Sequence, residues 1–472
     1  MKKIKTFFFL FLIVLPVIQS TAQSVWSLER CINYALENNL DIRIQRLQQE
    51  RAEHDVIQGY SNLLPTFSTN SRFGVSFGRK VDDVTNEIYT DRIVSQRISA
   101  STNLTLFAGF RTINNIRYTL AQQTAFRHDT ESREHDLILT IANAYLQIMY
   151  FEDMLEVAEQ QLVISRQKVE RTRILLDGGT VSRRDLLEME AVAAEQEVIF
   201  TSTENQLSLS YLELIHLLEL DPEEDFRIER PELQIEDVRI LYGAGEVLEK
   251  AMDVEPTLAA ARKRISMAES NLAIVNGERM PTLSLSAGML TDYSDALTRP
   301  VNSNNPSAYA YSHGFGRAVG LKDDEMPVLE KVPYRDQLTA NYARRADLIL
   351  SIPIFNNFRV RTRVQHARID LDQARIRYEN TRNDLSRIIH QAHADATAAY
   401  KEYASSNKAM EASRESFSYA EEGFALGRVS TLEYNEAQAR LNRAEVNLLQ
   451  SMYEFVFKVK ILEFYQGQGF VL

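Results

Sequence analysis

Two stretches of this chain stand 248 residues apart and nearly match: GGTVSRRD at 178–185 and LGRVSTLE at 426–433. Val181 falls on Val429, Ser182 on Ser430, Asp185 on Glu433 and Glu188 on Glu436. Upstream, LTLFAGFR (104–111) meets IPIFNNFR (352–359) at the same offset, and LPTFS (64–68) meets MPTLS (280–284) at an offset of 216. The second copy therefore carries 32 extra residues between these landmarks. A duplication this long restricts the fold, because each copy must form the same succession of elements and the two can share one core.

Each copy reads helix, strand, strand, long helix, turn, helix. The first helices span roughly 27–63 and 245–279, each stopping before a proline, Pro65 or Pro281. The long helices span roughly 112–177 and 359–426; neither contains a proline, and Gly423 is the one glycine inside them. At a rise of 1.5 Å per residue, each is about 100 Å long. In the second, Val360, Val364, Ala367, Leu371, Ala374, Tyr378, Thr381, Leu385, Ile388, Ala392, Asp395 and Ala399 alternate by four and three. The helix after the first tip does likewise, from Leu186 and Met189 through Ala193, Gln196, Phe200, Thr203, Leu207 and Ser210 to Leu214 and Leu217. A sustained 3.5 period means coiled-coil packing. Small and polar seam residues favour a wide, many-helix wall over a zipper.

The matched tips then have a local explanation. Gly179 and Gly427 sit where a long helix stops, and glycine tolerates the left-handed conformation of that position. Ser182 and Ser430 cap the next helix, with Asp185 and Glu433 completing a capping box.

Between the helices the period changes to two. In 67–77, Phe67, Thr69, Phe73, Val75 and Phe77 oppose Ser68, Asn70, Arg72 and Ser76; in 98–106, Ile98, Ala100, Leu104 and Leu106 oppose Ser99, Ser101, Asn103 and Thr105. Leu283, Leu285, Ala287 and Met289 oppose Ser284 and Ser286, and Leu348, Leu350, Ile352 and Ile354 oppose Asp347 and Ser351. About ten residues suffice to cross a bilayer at a tilt. A sheet packed on a soluble core is the competing reading. Against it stand small or polar opposite faces, aromatics at the strand ends (Phe107 with Phe110, Phe355 with Phe358) and an export signal. An open sheet edge is intolerable in lipid, so four strands must be completed by other copies: eight strands from two, twelve from three. The inter-strand segments 79–92 and 292–345 are polar; the second is read as a long structureless loop that covers part of a barrel mouth.

The N-terminus supplies the export signal: three lysines, an apolar run from Phe7 to about Ile18, then Ser20-Thr21-Ala22. Cleavage is expected after Ala22, and loss of the three lysines takes the formal charge from −12 to −15, which argues against a nucleic-acid partner. Cys31 is the one cysteine, so it makes no internal disulfide and reads as a small apolar filler on a helix. No nucleophile elbow or phosphate-binding glycine loop is present, so no enzyme activity, cofactor or metal is expected. His390, His393 and Asp395 offer metal-ligand spacing on a coiled helix, where a packed or solvated pair is the simpler reading.

The two-copy plan, the LFAGFR and IPIFNNFR strand ends and the paired tips together resemble the outer-membrane efflux protein family typified by TolC, over about residues 27–466. The fold class is then mostly α with a transmembrane β-barrel contribution: long coiled helices form an α-barrel, and each protomer adds four strands to a shared 12-stranded barrel. The organisation is a signal peptide (1–22), a first repeat (23–220), an equatorial linker (221–244), a second repeat with the longer loop (245–466) and a tail (467–472). The resemblance implies a homotrimer in outer-membrane lipid, a passive exit duct with a periplasmic tunnel for efflux or type I secretion. Its partners would be a periplasmic adaptor and an inner-membrane RND or ABC transporter. Adaptor contacts carry over to Gly179, Thr180, Val181 and Ser182, and to Gly427, Arg428, Val429 and Ser430. The periplasmic gate carries over to Glu433 and Glu436, a ring of acids whose mutual repulsion would raise their pKa values. Phe424 stands where the family has a tyrosine, and Val429 where it has an arginine, which moves here to Arg428. The rival is a secreted or periplasmic coiled-coil scaffold or adhesin without a channel.

Overall fold

A computed structural model describes residues 24–81, 86, 88–89, 92–223, 226–231, 243–301, 328–426 and 428–470. The expected leader, Gly427, most of the linker and the middle of the 292–345 loop lie outside the described residues. In chain order the elements are β1 (Ser24–Trp26), α1 (Leu28–Asn38), α2 (Leu40–Ser61), β2 (Thr66–Ser76), β3 (Lys80–Val81), β4 (Ile88–Tyr89), β5 (Ile93–Ala108), α3 (Arg111–Asp177) and α4 (Arg183–Leu217). The second half supplies β6 (Phe226–Ile228), α5 (Ala244–Val254), α6 (Pro256–Gly277), β7 (Thr282–Ser294), β8 (Thr298–Val301), β9 (Val328–Lys331), α7 (Tyr334–Ala340), β10 (Ala343–Ser351), α8 (Arg359–Ala425) and α9 (Thr431–Tyr465).

The repeat holds element by element, with one correction: the first helix of each copy is broken. Asn39 (ψ 131°) separates α1 from α2 and Glu255 (ψ 116°) separates α5 from α6, again at an offset of 216. Pro256 forces the second break, since the residue before proline is driven out of the helical region. At the first, the Asn39 side chain accepts from the amides of Asp41 (3.0 Å) and Ile42 (3.3 Å), restarting the helix as a cap does.

The chain divides into two compact units. One comprises Met1–Leu47, Arg127–Ala259 and Asn380–Leu472. Its core gathers Cys31, Ile141, Tyr145, Ile148, Leu214 and Phe226 around the parallel pair β1–β6. The buried Tyr145 hydroxyl lies 3.1 Å from the Trp26 carbonyl and 2.5 Å from that of Glu229, tying the strand pair to α3. Beside it Arg230 pairs with Asp153 and, at 3.5 Å, with Glu152. The hydroxyls of Tyr453 and Tyr211 donate to Asp153 (2.6 Å) and Glu152 (2.7 Å). The strand pair and this network were not read from the sequence.

The other unit comprises Gln48–Phe126 and Ala260–Glu379. Its sheet is antiparallel throughout, in the order β10-β7-β5-β2. In that order the strands are 9, 13, 16 and 11 residues long, long enough to cross a bilayer. Ladder rows follow the alternation: Ser68, Ser101, Gly288 and Arg345 line up on one face, Leu104, Leu285 and Leu348 on the other. The edge strands are exposed along nearly their whole length, with Phe67, Phe73, Leu348 and Leu350 uncovered, so the sheet does not pack on a core of this chain. Strand β10 ends at Ser351, so Ile352 and Ile354, expected within it, lie beyond it; Pro353 follows and has no amide to extend the ladder.

Two further expectations change. The described part of the 292–345 segment is not structureless: it holds β8, β9 and α7. The fully buried Gln337 clamps α7 down, accepting from the Ser294 amide (2.9 Å) and donating to the Ser294 and Val332 carbonyls (2.9 Å each). In α8 the seam follows Val360, Val364, Ala367, Leu371 and Leu385, but then Ile389, Ala396 and Ala399 are buried while Ile388 is exposed. A step of four follows a step of four at Leu385, which shifts the stripe by one residue, as a stutter does in a coiled coil.

Candidate functional site

The first tip is a helix stop followed by a helix start. Gly179 has φ +73°, its amide donates to the Leu176 carbonyl (2.9 Å) and the Thr180 amide donates to Leu175 (3.0 Å). These two bonds define a Schellman motif and satisfy carbonyls the helix leaves open. Ser182 caps α4 with a reciprocal box: its hydroxyl accepts from the Asp185 amide (3.3 Å) and the Asp185 carboxylate accepts from the Ser182 amide (2.8 Å). Gly179, Thr180 and Ser182 are exposed and Val181 is half-buried.

The second tip repeats this grammar. The Arg428 amide donates to the Gly423 carbonyl (2.8 Å), the counterpart of the Thr180 bond. Ser430 caps α9, accepting from the Glu433 amide (3.3 Å), while the Glu433 carboxylate accepts from the Ser430 amide (2.9 Å). Arg428 and Ser430 are exposed and Val429 is half-buried. A side chain at Gly423 would meet Val429 at 2.6 Å, so this glycine gives the valine its seat.

Glu433 and Glu436 are both exposed, one helical turn apart. In the chain itself the Glu433 pKa moves down, because the Ser430 amide and hydroxyl bond its carboxylate; this is opposite to the direction expected from a ring of like charges. Asp185 moves down for the same reason. Glu436 borders a groove of about 580 Å³ between α3, α4 and α9, lined by Gln161, Ser165, Met189, Gln438 and Asn442 among others.

At the end of this groove is a cluster that sequence reasoning missed. Phe424 stacks on Tyr434, ring centroids 4.8 Å apart at 24°. The Lys168 ammonium sits 4.5 Å over the same tyrosine ring and donates to the Gln438 amide oxygen. Burial pushes Lys168 down to about 8, with the Glu421 carboxylate acting in the opposite sense. Burial raises the Tyr434 hydroxyl. One signal was available in the sequence: Phe424 and Tyr434 replace Leu176 and Leu186 of the first copy, an aromatic pair ten residues apart across a turn.

Two of the alternative metal ligands are engaged elsewhere. The His390 Nδ1 lies 2.7 Å from the Ser386 carbonyl, and Asp395 accepts from Gln391 (2.6 Å) and Lys458 (3.4 Å).

Comparison with known proteins follows the same two-part pattern. The profile of the family described as "Outer membrane efflux protein" matches residues 31–218 and 247–456, once in each repeat. The chain is 22% identical over 460 residues to outer membrane protein TolC of Vibrio cholerae, covering 95% of this chain and 92% of that one. It is 20% identical over 372 residues to outer membrane efflux protein BepC of Brucella suis, covering 78% and 71%. Among solved structures, CusC superposes with a TM-score of 0.74 at 16% identity, covering 94% of this chain and 92% of the other. The outer membrane protein VceC of Vibrio cholerae superposes with a TM-score of 0.74 at 15% identity, covering 94% and 97%.

Proposed function

The chain belongs to the outer membrane efflux protein family, and on that premise we propose that three copies close one duct, gated at the second helix tip and coupled through both tips to a periplasmic adaptor. The observation that carries this reading is the sheet: four membrane-length strands, apolar residues exposed, and one unpartnered edge on each of β2 and β10 among the described residues. In lipid those edges must be satisfied, and another copy's β2 laid along β10 does so with antiparallel pairing. The chain is an exit path, and an inner-membrane pump of the RND or ABC type supplies the energy. Efflux or type I secretion substrates are selected by that pump.

The gate is built from Glu433, Glu436 and Phe424. Symmetry places three copies of the acid pair around one axis, where they favour cations. The Phe424–Tyr434–Lys168 stack takes the part that a tyrosine hydroxyl plays in the resembled family, holding the end of α8 against α9 and α3. The tips Gly179–Ser182 and Gly427–Ser430 dock the adaptor; the half-buried Val181 and Val429 seat the turns, and Thr180 and Arg428 present the contacts.

The test is conductance in a planar bilayer. Glu433→Gln with Glu436→Gln is expected to lower cation preference and change conductance by about threefold or more; unchanged values would remove the gate. Purified protein that stays monomeric and soluble without detergent would remove the channel itself and favour the scaffold reading.

A further inference from the structure

The two edges of the four-stranded sheet are of unequal length, which limits how another copy can meet them. Strand β10 has nine residues, Ala343–Ser351, and β2 has eleven, Thr66–Ser76. For every β10 residue to find an opposite number in an antiparallel β2, Ser351 must face Thr66, Phe67 or Ser68. Phe67 is excluded, because a slip of one residue sets the apolar face of one strand against the polar face of the other along the whole seam. Two registers remain. If Ser351 faces Thr66, Arg345 falls opposite Arg72. If it faces Ser68, Asp347 falls opposite Arg72 and Arg345 opposite Gly74.

Charge and space choose between them. On the polar face Arg72 already stands opposite Arg97 within its own sheet. Arg97 is engaged by Asp292 at 2.7 Å, whereas Arg72 is exposed and makes no ion pair among the described residues. The first register adds Arg345 and lines up three arginines in one row, and like charges directly opposite repel. The second brings Arg72 an acid, Asp347, which its own chain engages only through Arg345 (2.7 Å). Gly74 is a second, independent observation. A side chain there would meet nothing of this chain nearer than 4.0 Å, so the sheet itself does not call for glycine. Glycine inside a strand marks close approach by another group, and in the second register that group is the long Arg345 side chain. The closure is also sound. A row leaving β2 at Ser68 reaches β10 at Arg345 and re-enters the next copy at Gly74, six residues further on. Three such steps make a stagger of 18 residues over twelve strands, a strand tilt of about 45°. We propose that copies of the chain join with Asp347 of one opposite Arg72 of the next, an ion pair across each seam that fixes the register of the barrel. This rests on the channel reading above.

Disulfide capture in the full chain, purified in detergent, tests the register. Directly opposite positions come within reach of a disulfide, and diagonal ones about 7 Å apart do not. Within one chain Arg72 and Asp347 lie at least three strand spacings apart, roughly 14 Å, so a bond between them joins two copies. Cys31 is fully buried and does not compete. On oxidation with copper phenanthroline, Arg72→Cys with Asp347→Cys is expected to give about tenfold more covalent trimer than Arg72→Cys with Arg345→Cys. The reverse preference selects the first register, and equal or absent capture means no fixed register; each overturns the proposal. Light scattering of the unsubstituted protein reports the assembly separately. A monomer overturns the channel reading along with the seam, whereas a trimer with the wrong capture overturns the seam alone. As a second measurement, Arg72→Glu is expected to make the trimer dissociate at a lower temperature on denaturing gels, and Asp347→Arg in the same chain to restore it. A double variant no better than Arg72→Glu overturns the ion pair.

Discussion

The first repeat turns from strand into long helix through Gly109 and Phe110, the second through Asn357 and Phe358, with all four residues at positive φ. The geometry is shared but the tolerance is not. A side chain at Gly109 would sit 2.3 Å from the Gly277 carbonyl oxygen, while Asn357 already carries one. The two tips show the same division. Their capping boxes follow one pattern, yet the second carries the Phe424, Tyr434 and Lys168 stack where the first copy has Leu176 and Leu186 in place of the two aromatics. Duplication therefore preserved the backbone turns and let their surroundings diverge, and the divergence is where a function specific to one half can reside.

The largest expected effect breaks or confirms this at the strand–helix corner. Gly109→Ala should cost roughly 3 kcal/mol, since it adds both left-handed strain and a clash with backbone. Asn357→Ala should cost about 1 kcal/mol, from the strain alone. Urea unfolding midpoints of the two variants decide it, and equal losses would mean the corners are equivalent after all. Next, Phe424→Ala should speed hydrogen exchange at the second tip, as loss of an aromatic pair worth ~1 kcal/mol requires. The matching Leu176→Ala should leave exchange at the second tip unchanged.

The caps should behave alike. Ser182→Ala and Ser430→Ala are each expected to cost ~1 kcal/mol. The carboxylates of Asp185 and Glu433 have folded pKa values below their unfolded ones, so their contribution is present above the unfolded values and fades as pH falls through the folded ones. Thermal melts along an acid series should show both tips loosening in that window. A tip that held firm would not rely on its box.

The last effect is alkaline. Lys168 titrates at about 8 when folded, against 10.5 for a free lysine, so between those values the unfolded chain binds more protons. Stability from this group alone therefore rises as pH increases through that window. Lys168→Met should flatten that arm of the stability profile.

Most of the architecture was legible because it is periodic or duplicated. The alternation of Phe67, Thr69 and Ser68, Asn70 identified a strand, and the Gly179–Ser182 pattern located a turn and its cap. The helix breaks were harder to see: Pro256 was visible, but Asn39 lies in an uninterrupted helical pattern and acts through its side chain. The stutter at Leu385 was hidden because Ile388 and Ile389 are both apolar and only packing selects between them. Lys168 could not be placed from sequence at all. Its partners Tyr434 and Gln438 are more than 260 residues away, and only the helix pairing brings them within reach.

The lone thiol offers a practical return. Cys31 is fully buried in the strand-pair core, and burial holds its pKa up at about 12. Reagents that attack the thiolate must wait for that core to open. Any cysteine engineered onto a tip can therefore be labelled alone in the folded protein, and the rate at which the buried sulfur finally reacts is a built-in clock for unfolding.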